Sequence, residues 1–161
     1  MWRFSSGGAS VVLEDYAPVL LTTWYGTADL TLIDQVFDQL ETIYDAATVR
    51  IRVGISNVVE LPAMPRASER RRMAERFERM ATRKANDQLN FVVMQSSIAR
   101  AGLTAVQWLA RTTNRAEACT SMEDAFRRAR RALEVMGVQW PSTLDPETYE
   151  VPGPGAASAT G

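Results

Sequence analysis

The chain of 161 residues contains no histidine and a single cysteine, Cys119. Without imidazole, every triad, metal site or proton relay that depends on it is excluded. One thiol cannot form an internal disulfide or a cysteine-based zinc cluster. The compartment expected from such cysteine usage is the reducing cytoplasm. Long apolar runs are also missing, and none approaches the roughly 20 residues of a membrane-crossing helix. The opening Met1-Trp2-Arg3-Phe4 lacks the basic segment and apolar core of a secretory leader. An enzyme working through carboxylates stays open in principle, but no acid in the sequence stands out for that role. The expectation is therefore a protein without catalysis, cofactor or metal.

What is present describes one globular unit. Hydrophobic residues make up 46% and charged residues 23%, enough for one ordinary core and not for two domains. The net charge of -1 hides a division along the chain. Residues 1–65 carry 3 basic and 8 acidic groups, residues 66–131 carry 15 and 7, and residues 132–161 carry none and 4. Such segregation marks either a basic binding face or acidic and basic elements that pack together.

The chain is organised around Leu89–Ala110. Leu89–Met94 is a short apolar run of the kind found in a strand buried on both faces. Gln95-Ser96-Ser97 places hydroxyls where a helix needs its cap, and Ile98, Ala101, Ala105 and Leu109 follow at helical spacing. Upstream, residues 1–8 read as a flexible lead-in. Ala9–Glu14 and Val19–Tyr25 read as an antiparallel pair of strands, joined across Asp15-Tyr16-Ala17-Pro18. Asp29 or Thr27 caps a helix over Leu30–Ala46, whose core stripe is Leu30, Ile33, Phe37, Leu40 and Tyr44. An acidic stripe of Asp34, Asp38, Glu41 and Asp45 runs beside it. Val49–Ile55 alternates as a strand, and Ser56–Pro65 reads as a proline-bearing loop.

Ser68 is the expected cap of a second helix reaching Ala85, with Met73, Phe77, Met80 and Ala81 facing the core. After a turn at Thr112-Thr113-Asn114, Ala116–Thr120 reads as a short strand. Thr120 with Glu123 fits a capping box, and Met122, Phe126, Ala129, Leu133 and Met136 form the last core stripe, stopped by Gly137. Residues 138–161 form an acidic tail rich in proline, glycine and alanine, expected to be flexible, with Trp140 able to pin its start. The fold class is α/β: residues 9–137 form one mixed sheet of four to five strands and about four helices, an N-terminal hairpin followed by βα repeats.

The most conspicuous chemistry is Arg70-Arg71-Arg72 with Arg76, Arg79 and Arg83 on the second helix. The patch suits phosphate, nucleic acid or an acidic partner. The alternative is a structural face neutralised by Glu69, Glu75, Glu78 and the acidic stripe of the first helix, which the two stripes reach if both helices cover one sheet face. The slightly acidic whole-chain balance does not favour nucleic acid. Ser68 and Ser96-Ser97 stand at positive helix ends, as caps or as anion sites. Gly102 sits inside a helix and calls for close packing onto the sheet. Cys119, Trp24 and Trp108 read as core residues.

The strand-turn VRIRVGISNV (Val49–Val58), the arginine-rich helix after a proline loop, and LTAVQWL (Leu103–Leu109) followed by a short strand and EDAFRRARRAL carry a resemblance over residues 9–136. In this order and spacing the chain resembles the STAS or SpoIIAA-like (STAS/SEC14-type) domains of bacterial regulatory proteins. The resemblance implies a non-catalytic cytoplasmic module that binds protein partners, itself included, through the loop and helix after the third strand. On that basis Ser56, Asn57, Ser68, Arg70, Arg72, Arg76, Arg79 and Arg83 are the candidate partner-binding residues. In phosphoregulated members that turn holds an aspartate-serine pair; here it reads Ile55-Ser56-Asn57, without the acid. The SEC14-type relatives imply an alternative, a binder of small anionic ligands or lipid head groups.

Overall fold

The structure is a computed structural model that describes residues 1–83, 88–109 and 116–155. The elements are β1 (Trp2–Ser6), β2 (Ala9–Tyr16), β3 (Val19–Tyr25), α1 (Leu30–Ala46), β4 (Val53–Glu60), α2 (Ala67–Arg83), β5 (Leu89–Met94), α3 (Ser97–Leu109), β6 (Ala116–Cys119) and α4 (Met122–Val135). They build one six-stranded sheet in the order β1-β2-β3-β4-β5-β6. The first two pairings are antiparallel and the other three parallel.

The extra strand is β1, so the expected flexible lead-in is corrected. Gly7 and Gly8 both take positive φ, at 58° and 84°, between the paired residues Ser6 and Ala9. That is the two-residue turn whose twist matches a hairpin, and Gly-Gly supplies it without a Cβ clash. Trp2 and Phe4 then pack against the core beside α1.

The strand expected at Val49–Ile55 lies four residues later. Parallel pairing with β3 matches Val19 to Val53 and carries β4 through Val58, so the run expected as loop completes the sheet. Alternation alone cannot set this register; the flanking strands do. Val49 is consequently exposed and Ile51 packs into the α1 core.

Helices α1, α2 and α3 pack in series on one face, as successive right-handed crossovers in one direction require. Their core joins Val11, Leu13 and Leu20 to Leu32, Ile33, Val36 and Phe37, with a smaller cluster of Val92, Met94 and Ala99 under α3. The other face carries Val19, Leu21, Val53, Ile55, Phe91 and Val93, covered by Ala125, Phe126, Ala129 and Leu133 of α4.

The helix ends follow local chemistry. Asp29 caps α1 by accepting from the Leu32 N–H at 2.8 Å, and Ser96 caps α3 by accepting from Ala99 N–H at 3.0 Å. At α4 the cap is Ser121, which accepts from Asp124 N–H at 3.1 Å, and not Thr120 as expected. Gly137 at φ 68° closes α4, with Val138 N–H donating to Leu133 C=O at 2.9 Å. Ser68 does not cap α2, because the helix already includes Ala67. Gly102 faces Leu61, Met64 and Pro65, and not the sheet as its position suggested. Phe77, expected in the core, is 42% exposed and meets Phe37 edge-on at 5.0 Å. The expected turn at Thr112-Thr113-Asn114 and the end of α2 beyond Arg83 lie outside the described residues, as do the side chains of Trp108 and Arg83.

Candidate interaction surface

Of the eight residues marked for partner binding, the seven whose side chains are described do not form one surface. Ser56 and Asn57 are consecutive in β4, so their side chains leave opposite faces of the sheet. Ser56 Oγ accepts from Thr22 Oγ1 at 2.8 Å, and Thr22 Oγ1 in turn accepts from Trp24 Nε1 at 3.1 Å, a hydroxyl chain between sheet and helices. Asn57 is buried on the α4 face.

Arg72, Arg76 and Arg79 meet the acidic stripe of α1. Arg72 donates to both oxygens of Asp34 at 2.8 and 2.9 Å, a planar two-pronged pair. Arg76 reaches Asp38 at 2.6 Å and Glu41 at 3.1 Å, and its guanidinium lies 5.6 Å from the Phe37 ring centroid. Arg79 reaches Glu41 at 2.6 Å. The spacing of three to four residues on each helix makes the ladder possible, because such residues share a face. The Arg72 hydrogen bond, and the charge of Arg72 behind it, hold the Asp34 carboxyl below the ordinary carboxylate range. Part of the charge division of the sequence is thus an intramolecular contact between two helices.

What remains open to a partner lies earlier in the chain. Ser68 is exposed and donates only to its neighbour Glu69, at 3.2 Å. Arg70 is half-buried, with one nitrogen donating to Pro65 C=O. Arg66 and Arg71 are exposed and form no ion pair among the described residues. These basic groups sit at the positive end of α2, where the helix dipole adds to their field.

Beside them is an apolar rim that sequence reasoning missed. Leu30 is 44% exposed, Val59 44%, Met64 37% and Ile98 40%. Each follows or ends a parallel strand at its carboxyl end: Leu30 after β3, Val59 and Met64 at and after β4, Ile98 after β5. The loop is tied across this end, since Thr27 Oγ1 donates to Ala63 C=O at 3.2 Å and Met64 leans on Gly102. Ile98 lies one turn before Gly102 on the same strip of α3. Exposed apolar side chains at one end of the sheet, beside an anchored loop, are a recognisable contact feature. The signal in the sequence was the run Val58-Val59 and Leu61-Pro62-Ala63-Met64, apolar residues in a segment without helical period.

The remaining candidates are structural. Cys119 is buried, and burial pushes its thiol up, away from reactivity. Tyr44 hydrogen-bonds Gln88, which donates to Asn90 at 3.2 Å beside the close approach at Gly54. Among the described residues no group of three or more histidine, cysteine, aspartate or glutamate side chains is placed to hold a metal ion.

No family model matches this chain, and no curated protein matches it. Among solved structures, an anti-sigma factor antagonist from Mycobacterium paratuberculosis aligns with a TM-score of 0.50 at 11% sequence identity. The alignment covers 79% of this chain and 99% of that one. The chain carries the STAS-type fold. The resemblance drawn from element order therefore holds for the architecture, with six strands where four to five were expected. Within the STAS-type fold, the parallel strands run in monotonic order with α1–α3 on one face. That arrangement has no point where the strand order reverses, the place where open α/β sheets form a ligand crevice. No helix among the described residues is long and apolar enough to cross a membrane.

Proposed function

We propose that the chain is a non-catalytic, cytoplasmic regulatory module that binds an acidic protein partner at the carboxyl end of its parallel strands. The observation that carries this reading is the coverage of 99% of a solved anti-sigma factor antagonist, a protein named for acting on another protein. The contact surface is the rim of Val59, Met64 and Ile98, flanked by Ser68, Arg70, Arg66 and Arg71. Apolar contact supplies affinity there, while the arginines steer an acidic partner and select its register. Arg72, Arg76 and Arg79, bound to α1, hold α2 in place for it. The monotonic strand order supports a protein partner over a small ligand.

The test is affinity capture, identification of what binds, and reconstitution with the purified partner. Met64→Asp and the pair Arg66→Glu, Arg71→Glu should each weaken binding at least about tenfold, the loss of about 1.4 kcal/mol that a rim anchor or charge pair contributes. The arginine effect should shrink in high salt. A reconstituted partner that binds all variants equally would refute the surface, and Arg131→Glu on α4 serves as the control.

A further inference from the structure

The expected flexible tail is corrected as far as residue 155, and its position raises a second function. It does not lie on the basic helix α2 but on the opposite face of the sheet. There, α4 covers the parallel half, and the segment 138–155 covers the antiparallel half. Leu144 is 2% exposed, Trp140 Nε1 donates to Leu144 C=O at 2.6 Å, and Phe126 meets Trp140 and Tyr149 edge-on at 6.0 and 5.2 Å.

Beyond Leu144 the covered surface changes character. The register puts Arg3, Ser5, Ser10, Val12, Glu14, Thr23 and Tyr25 on this face. Ser10, Glu14 and Thr23 are nearly inaccessible, Glu14 at 5%. A sheet face sealed for good is ordinarily apolar at such positions, because each buried polar group must find a partner. For Glu14 the C-terminal segment provides one. Tyr149 Oη donates to Glu14 Oε2 at 2.7 Å, beside Tyr16 Oη donating to Oε1 at 3.0 Å. Tyr25 Oη donates to Pro152 C=O at 2.5 Å, and Arg3 Nη1 to Gly153 C=O at 2.7 Å. Past these contacts a groove of about 340 Å³ opens between Pro154-Gly155 and Ser5–Ser10. All these hydrogen bonds run through side chains of the body or the segment, so the segment lies on the sheet without joining its ladder. Burial first, and the Glu14 hydrogen bond next, push the Tyr149 hydroxyl well above its ordinary value, so it stays a donor.

We propose that this face is a peptide-binding groove whose resident ligand is the chain's own residues 144–155, and that a second copy of the chain can supply the same segment in trans. The seated segment demonstrates the fit, and it follows Gly137, a turn residue that ends α4. Any contact made by a terminal segment on its own body is available to an identical copy. The resident segment prevails in dilute solution because its tether gives it an effective concentration in the millimolar range. This groove uses none of the rim residues, so its test is independent of the function proposed above.

The experiment titrates full-length chain into a fluorescently labelled synthetic peptide of residues 138–155 and reads anisotropy. Tyr149→Phe in the chain loosens the resident segment, and should tighten capture of the intact peptide about tenfold relative to the unmodified chain. Capture should fall back at least about tenfold when the peptide itself carries Tyr149→Phe, or when Glu14→Gln is added to the chain. The peptide substitution keeps the test decisive even if Glu14→Gln disturbs folding. No capture by a cooperatively melting Tyr149→Phe chain would overturn the proposal. So would equal capture of intact, Tyr149→Phe and scrambled peptides.

Discussion

Replacing Arg76 by alanine tests whether the contact between α1 and α2 is part of the fold or only a solvated pairing of charges. Its side chain is 6% exposed, against 41% for Arg72 and 50% for Arg79. It touches three acids: Asp38 at 2.6 Å, Glu41 at 3.1 Å and Asp34 at 3.7 Å. Removing one member of a buried pair costs about 3–5 kcal/mol when the other charge is stranded. Two features lower that figure here. Asp38 is 68% exposed and regains water, and Glu41, though only 12% exposed, keeps Arg79. The variant also loses the packing of the guanidinium and its stem over Phe37. The expected loss is about 2–3 kcal/mol. With a urea slope of about 2 kcal/mol/M, the unfolding midpoint should fall by about 1–1.5 M. Arg72→Ala should lower it by less than half as much. The two should also part in salt: about 1 M NaCl should shrink the Arg72 effect and leave most of the Arg76 effect, since buried charges are poorly screened. A midpoint within about 0.2 M of the unmodified chain, or an Arg76 effect erased by salt, would refute the reasoning.

Two further outcomes follow from the same structure. Asp29 caps α1 and accepts from Ser6 at 2.7 Å, contacts that hold its carboxyl below the ordinary value of 3.8, the Ser6 bond foremost. A depressed carboxylate stabilises the fold fully above its unfolded pKa, and that contribution is lost as pH falls through the lower folded value. Asp29→Ala should therefore cost about 1 kcal/mol at pH 7, while Asp29→Asn keeps the cap and weakens the acid dependence of the urea midpoint below pH 4. Gly102→Ala should raise thermal stability by up to about 1 kcal/mol through helix propensity, because its new Cβ would meet the flexible Met64 sulfur at 3.4 Å and Pro65 and Leu61 at 3.8 and 3.9 Å, all ordinary contact distances; a lowered melting temperature would mean that the loop over α3 cannot yield.

Much of the fold was legible in the residues themselves. The periods of α1 and α4, the apolar run of β5, the cap at Asp29 and the stop at Gly137 are local features, and local chemistry decides them. The possible meeting of the acidic stripe of α1 and the basic stripe of α2 was also readable, because residues three and four apart share a face on any helix. What tertiary structure decided was register and company. Ser56 and Asn57 looked like a turn because Ser and Asn favour turns; pairing with Thr22 and Thr23 made them strand. Residues 138–155 are short of aliphatic side chains and looked flexible, yet Leu144, Trp140 and Tyr149 found Phe126 and Glu14, more than a hundred residues away in the case of Glu14. Charge pattern left Arg72, Arg76 and Arg79 either as a binding face or as the match of the acidic stripe on α1, and packing set them on α1 while leaving Val59, Met64 and Ile98 at the surface. Sequence by itself determines the strongly periodic segments, α1, α2, α4 and the apolar run of β5, since those periods are properties of neighbouring residues. Which of their side chains are left facing a partner is decided only when distant segments have taken up the rest.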